Sequence, residues 1–144
     1  MTTASGDLRA RDAMVTEPLA LEASATAQEA GQALARPDVR AVLVTDSGRL
    51  VGVITRKTLV REVVATGLDP TTTALRTIAE EPVATIESDT PLSAAFHFLE
   101  ERDLERVPVV EAGKLVGVLS RAVVQRRLAE DEPPPEPESE GSSS

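Results

Sequence analysis

The sequence predicts an α+β protein, a tandem repeat of two βαββα units packed through their sheets. Three observations carry that prediction. The octamer "GRLVGVIT" at residues 48–55 returns as "GKLVGVLS" at 113–120. The flanking strings match as well: "EPLALEASATAQEAGQAL" (17–34) aligns with "EPVATIESDTPLSAAFHFL" (81–99) with one inserted residue, and "VLVTDSGRLVGVITR" (42–56) with "VPVVEAGKLVGVLSR" (107–121). Within each half, strand and helix signals follow in the same order.

Each unit opens with a short extended piece after a proline, Leu19–Leu21 or Val83–Ile86. A helix follows. In repeat 1 Thr26 is its N-cap, with Ala27, Ala30 and Leu34 on one face; in repeat 2 Asp89 or Thr90 precedes Pro91, a favoured first-turn residue, with Leu92, Ala95, Phe96 and Leu99 at helical spacing. Two β-rich runs come next, "AVLVT" and "LVGVIT", then "VPVVE" and "LVGVL". They are joined by "DSG" and "EAG", hairpin turns with glycine where a positive φ is needed. The closing helix starts at Arg56 or Arg121 and carries Leu59, Val60, Val63 and Val64, or Val123, Val124 and Leu128. The strand–helix–strand crossover makes two strands parallel and the hairpin adds an antiparallel third. Three short strands and two helices leave one sheet face poorly covered, so two units must pack together.

The boundaries follow from composition. Residues 1–7 are a flexible start, 8–66 the first unit, 67–74 a linker and 75–129 the second unit. Residues 130–144 are a disordered acidic tail, because "DEPPPEPESEGSSS" has no apolar residue to offset its ordering entropy. With 41% apolar residues but two Phe and no Trp or Tyr, the core must be Val, Leu, Ile and Ala.

The net charge of −9 is concentrated in residues 130–140, which hold six acids and no base and leave −3 for the rest. Lys and Arg are scattered and stacking aromatics nearly absent, which argues against nucleic acid as a partner. Cysteine is absent, which excludes disulfides and thiolate chemistry. The start lacks a continuous apolar leader and no apolar run approaches the roughly eighteen residues of a membrane span, so no membrane association and a cytoplasmic location are expected.

The long ordered pattern resembles the cystathionine-β-synthase (CBS) domain in its usual tandem pair, the Bateman-type module. The residues that carry it are an apolar residue before "PVV", an acidic-Gly turn, "LVGV", and Thr or Ser opening a helix; "RDAMVTEPLAL" is similar to the segment that leads into the first domain of such pairs. The resemblance spans roughly residues 8–129. It implies a stand-alone regulatory module, often a homodimer, that binds an adenosyl ligand in a cleft between the domains and controls a partner protein whose identity the sequence does not name. The ligand class implied is AMP, ADP or ATP, with S-adenosylmethionine and NAD as lesser candidates, and no cofactor is required.

Site residues follow from the strand-to-helix junction. Thr55 ends a strand beside a helix start, where free N–H groups favour a phosphate or ribose oxygen, and Arg56 and Lys57 add two cations. Repeat 2 offers Ser120 and Arg121, with Ala122 where Lys57 stands. The family pattern places an Asp three residues after the Thr or Ser as acceptor for the ribose hydroxyls; here Thr58 and Val123 stand there, and only threonine retains acceptor capacity. That difference assigns the better site to repeat 1. The base is expected against strand ends, at Thr16, Leu19, Val42 and Val44 on one side and Glu80, Val83, Val107 and Val109 on the other. Repeat 2 keeps Pro108 where repeat 1 has Leu43.

Enzyme readings lack a constellation. The single histidine, His97, lies in a helix, no metal set can be assembled without cysteine, and no G-x-S-x-G, P-loop or G-x-G-x-x-G is present. Two functions of different class remain: a non-enzymatic adenosyl-nucleotide sensor, and a ligand-free constitutive dimerisation or interaction module.

Overall fold

The structure is a computed structural model that describes residues 8–82 and 84–131. The start at 1–7, expected from composition to be flexible, the acidic tail beyond Asp131 and the candidate base-contact residue Val83 lie outside the described residues. Unit 1 contains α1 (Ala10–Ala13), β1 (Ala20–Glu22), α2 (Ala27–Leu34), β2 (Val42–Asp46), β3 (Arg49–Ile54) and α3 (Arg56–Leu59), which continues as a π-helical turn over Val60–Val64. A 3₁₀ turn at Leu75–Thr77 leads into unit 2, with β4 (Ile86–Glu87), α4 (Leu92–Glu101), β5 (Arg106–Glu111), β6 (Lys114–Ser120) and α5 (Arg121–Asp131).

In each unit the first strand runs parallel to the second, and the second pairs antiparallel with the third. The hairpins turn through two residues of positive φ, Ser47 (54°) and Gly48 (85°), then Ala112 (54°) and Gly113 (84°). Turns of that hand match the strand twist, and glycine tolerates the conformation most readily. A bulge recurs at the same place: Val44 faces Gly52 but Thr45 faces Leu50, and Val109 faces Gly117 but Val110 faces Leu115. The extra residue is Val51 in one unit and Val116 in the other.

Thr26 caps α2 through its side chain, which accepts from the Glu29 N–H at 3.2 Å. In α4 the capping position is Pro91 itself, and neither Asp89 nor Thr90 caps it. The helix therefore starts at Leu92, one residue later than the favoured-proline rule suggests, because the Pro91 backbone is extended (ψ 139°).

All six strands form one sheet in the order β1-β2-β3-β6-β5-β4. The units meet at Arg49 and Lys114, which are 65 residues apart and pair with each other. Flanking bonds repeat the spacing: the Leu115 N–H donates to the Gly48 carbonyl at 3.0 Å, and the Leu50 N–H to that of Gly113 at 3.4 Å. The same offset of 65 relates Val15 bridging Val118 to Glu80 bridging Val53, and Arg9 bridging Pro91 to Thr26 bridging Ala74. No inserted residue separates the repeats in space. The two Glu-Pro strings of the sequence alignment are shifted by one, because strand register rather than residue identity defines the equivalence.

The units exchange their leading segments. Ala10 and Ala13 are buried in the core of unit 2 with Leu92, Leu99, Val107, Val109, Leu119 and Val124. Leu75 and Ile78 are buried in that of unit 1 with Leu34, Val42, Val44, Ile54 and Val63. Burying a Leu or Ile side chain contributes about 1.5–3 kcal/mol, so withdrawing the second segment would cost unit 1 much of its margin. In the linker, Asp69 accepts from the Thr71 N–H at 2.9 Å and the Thr71 hydroxyl at 2.8 Å. These bonds, the backbone one foremost, hold its carboxyl below the usual carboxylate range.

The crossings explain the glycine in each "LVGV". A Cβ on Gly52 would lie 2.6 Å from the Ala79 Cβ and 3.2 Å from the Glu80 carbonyl oxygen. One on Gly117 would lie 2.6 Å from the Met14 Sδ and 2.8 Å from the Val15 carbonyl oxygen. Backbone and a methyl group cannot swing aside. Gly52→Ala and Gly117→Ala are each expected to destabilise the fold by about 1–3 kcal/mol. Gly31→Ala, on α2 with its nearest neighbour 3.8 Å away, should stabilise it by about 0.5–1 kcal/mol. The midpoints of urea unfolding check both signs, and a neutral Gly52→Ala would refute the close-approach argument.

Candidate functional site

A cleft of about 550 Å³ opens between the units, on the sheet face opposite the helix-covered core. Leu19, Leu43 and Val53 wall one side, and Val107, Pro108 and Val118 the other. Alternation along the strands decides which residues reach it. Val42 and Val44 are fully buried in the core while Leu43, between them, faces the cleft; Val109 is core and Pro108 is cleft. Val107 contributes to both.

Thr55 is the hydroxyl of the repeat-1 junction that lines the cleft. It forms a reciprocal capping box with Thr58. The Thr58 N–H donates to the Thr55 Oγ1 at 3.3 Å, and the Thr55 N–H donates to the Thr58 Oγ1 at 3.1 Å. Thr58 is fully buried, and its hydroxyl donates to the Glu80 Oε2 at 2.8 Å. Because a carboxylate only accepts and a hydroxyl has one proton, the 3.0 Å contact between the two threonine hydroxyls must have Thr55 as donor. Arg61, on the π-helical turn, closes the network with its Nη2 2.5 Å from the same Glu80 oxygen. Glu80 also lines the cleft, and its backbone pairs with Val53 in both directions.

Other sequence-selected residues are placed elsewhere. The Arg56 guanidinium donates to the Arg36 carbonyl at 2.9 Å, at the end of α2. Lys57 and Thr16 are exposed and do not line the cleft. Ser120 accepts from the Val123 N–H at 3.4 Å as an ordinary cap, and Arg121 lies 3.8 Å from Asp103. Thus of the proposed phosphate cluster the structure brings Thr55 to the cleft but turns Arg56 away.

Two cations absent from the sequence reading, Arg40 and Arg106, do line it. Neither has an ion-pair partner among the described residues. The available signal was a basic residue near the start of the second strand, Arg40 shortly before β2 and Arg106 as the first residue of β5. Of the four lining acids, Asp38 pairs with Arg36 at 3.2 Å and Glu80 with Arg61, while Glu17 and Glu81 form no ion pair among the described residues.

A second hollow of about 430 Å³ is lined by the polar and charged residues Arg11, Glu87, Ser88, Asp89 and Glu111. Among the described residues no group of three or more His, Cys, Asp or Glu side chains is arranged to hold a metal ion, and no helix is long and apolar enough to cross a membrane. His97 is exposed on α4, beside Phe96, and is not part of the cleft lining.

Comparison with known proteins matches this architecture. A family model described as the CBS domain covers residues 10–65 and again 75–130. Hypoxic response protein 1 of Mycobacterium tuberculosis is 29% identical over 122 residues, 84% of this chain and 85% of the relative. Its crystal structure, described with two coordinated zinc ions, superposes with a TM-score of 0.70 at 28% identity, covering 84% of this chain and 99% of the other. A structure described as CBSX2 in complex with AMP gives a TM-score of 0.68 at 23% identity, over 85% and 96%.

The hydroxyl network yields a stability test. Thr58→Val removes a buried donor to Glu80 and half of the capping box, and should cost about 1–3 kcal/mol. In the Glu80→Gln background the cost should shrink, because part of the interaction is already lost. A double-mutant cycle read by chemical denaturation measures the coupling, and zero coupling would show that the Thr58–Glu80 contact contributes nothing.

Proposed function

The chain belongs to the CBS-domain family, and on that footing we propose that it is a non-enzymatic regulatory module that binds an adenine nucleotide in the cleft between its two units and controls a partner protein. The observation that carries this reading is the cleft: its volume suits a small ligand, and its largely apolar walls are flanked by a hydroxyl and charged groups. Leu43, Val53, Pro108 and Val118 offer flat apolar surface to a base. Thr55 and the unpaired arginines offer a hydroxyl and positive charge to sugar and phosphate. The neighbour of the same fold described in complex with AMP supports the ligand class.

AMP, ADP and ATP are the favoured ligands; S-adenosylmethionine and NAD share the adenosyl group. The zinc of the other neighbour finds no matching ligand group among the described residues of this chain. Regulation follows from connectivity. Both units line the cleft and each is pinned by the other's leading segment, so a ligand that bridges them biases their relative setting.

A second reading, a ligand-free dimerisation module, draws on Val60 and Val64, which are 58% and 72% exposed on the π-helical turn and offer an apolar edge to a second copy. Ligand linkage separates the two. A ligand that binds only the folded chain adds about 2.7 kcal/mol at a hundred times its Kd, which for a chain of this size raises Tm by roughly 5–10 °C. Equilibrium dialysis against ATP, AMP, S-adenosylmethionine and NAD, read at the adenine absorbance, gives affinity directly, because the chain has no Trp or Tyr. Saturable excess nucleotide with a matching Tm shift is the expected result. No excess at millimolar ligand and an unchanged Tm would leave the dimerisation module.

A further inference from the structure

The two halves of the cleft are related by the 65-residue repeat, and they differ in charge. On the crossing segment, Glu80 bridges Val53 where Val15 bridges Val118. At the start of the second strand, Arg106 stands first in β5 where repeat 1 has Ala41, the residue before β2. All four residues line the cleft. The repeat-1 half therefore carries a carboxylate where the repeat-2 half carries valine, and alanine where the repeat-2 half carries arginine.

Glu80 is held in place. Its Oε2 accepts from the Thr58 hydroxyl at 2.8 Å and from Arg61 at 2.5 Å. These are a hydroxyl and a guanidinium, the two donor types that a phosphate entering this half would need. Arg56 is committed to the Arg36 carbonyl. In the other half Arg106 is unpaired among the described residues and is the cross-strand partner of Ser120, which puts both side chains on one face of the sheet.

We propose that the Glu80 carboxylate is a resident anion that closes the repeat-1 half of the cleft to phosphate, so that the chain takes one phosphate-bearing ligand, in the repeat-2 half with its anion on Arg106. The inference rests on the nucleotide-binding reading and reverses the sequence-based preference for repeat 1. Arg40, on the repeat-1 side, can complete a second anion position with Thr55 only when the charge of Glu80 is gone.

The test is equilibrium dialysis with AMP on wild type, Glu80→Val, Glu80→Gln and Arg106→Ala. Glu80→Val installs the residue of the matched position; Glu80→Gln keeps the size and the acceptor for Thr58, and carries the test if the valine variant melts early. Wild type should saturate at one AMP per chain, the Glu80 variants should admit a second, and Arg106→Ala should weaken the wild-type site at least tenfold. Two AMP per wild-type chain would overturn the proposal. So would a stoichiometry of one in both Glu80 variants, or full affinity in Arg106→Ala. Failure of the nucleotide reading itself looks different: no AMP bound at millimolar concentration by wild type or any variant.

Discussion

The structure depends on one steric constraint, the passage of each unit's leading segment across the other unit's third strand at a glycine. Gly52 and Gly117 leave only enough room for backbone to lie on backbone. Two antiparallel bridges, Glu80 with Val53 and Val15 with Val118, then fix the segments in register. Because Leu75 and Ile78 finish one core and Ala10 and Ala13 the other, neither unit has a complete interior alone. The duplication is thus a physical requirement. A single βαββα unit would expose an apolar face and lack the segment that covers it.

The same crossing creates the cleft. Beyond their core residues the segments bridge the third strands at Val53 and Val118, and there Glu80 and Val15 line a hollow shared by both units. Its chemistry is inherited from what the segments carry. Glu80 arrives from the linker side and meets the Thr55–Thr58 cap and Arg61, so a loop residue, a helix start and a π-helical turn share one network. π-turns are often found at functional sites, and here the turn carries Arg61 to the Glu80 carboxylate at the surface, beside the exposed Val60 and Val64. Movement of Glu80 would be felt along that turn.

Because the two repeats share one fold, the differences between them are informative. The core positions are conservatively matched, Ala30 with Ala95, Leu34 with Leu99, Val42 with Val107 and Ile54 with Leu119, because both cores must fill the same space. The cleft positions are not. Ala41 and Arg106, Leu43 and Pro108, Val15 and Glu80 differ in charge or shape, so an internal symmetry of fold carries an asymmetry of site.

The repeat, the strand and helix order, the hairpin glycines and the Val–Leu–Ile–Ala core were determined by the sequence itself, since each is a local pattern whose physics acts over a few residues. So was membership of the family, which rests on that ordered pattern. Only tertiary structure decided the 65-residue register, because pairing in space overrides the coincidence of two Glu-Pro strings. It also decided which strand residues face the cleft, placing Val42, Val44 and Val109 in the core and Leu43 and Pro108 outside it. Arg56, next to Thr55 in sequence, reaches the end of α2 instead of the site, and Glu80, 22 residues from Thr58, supplies the carboxylate at its hydroxyl. Side-chain direction depends on the packing around each backbone position, and that packing is set by segments far away in the chain.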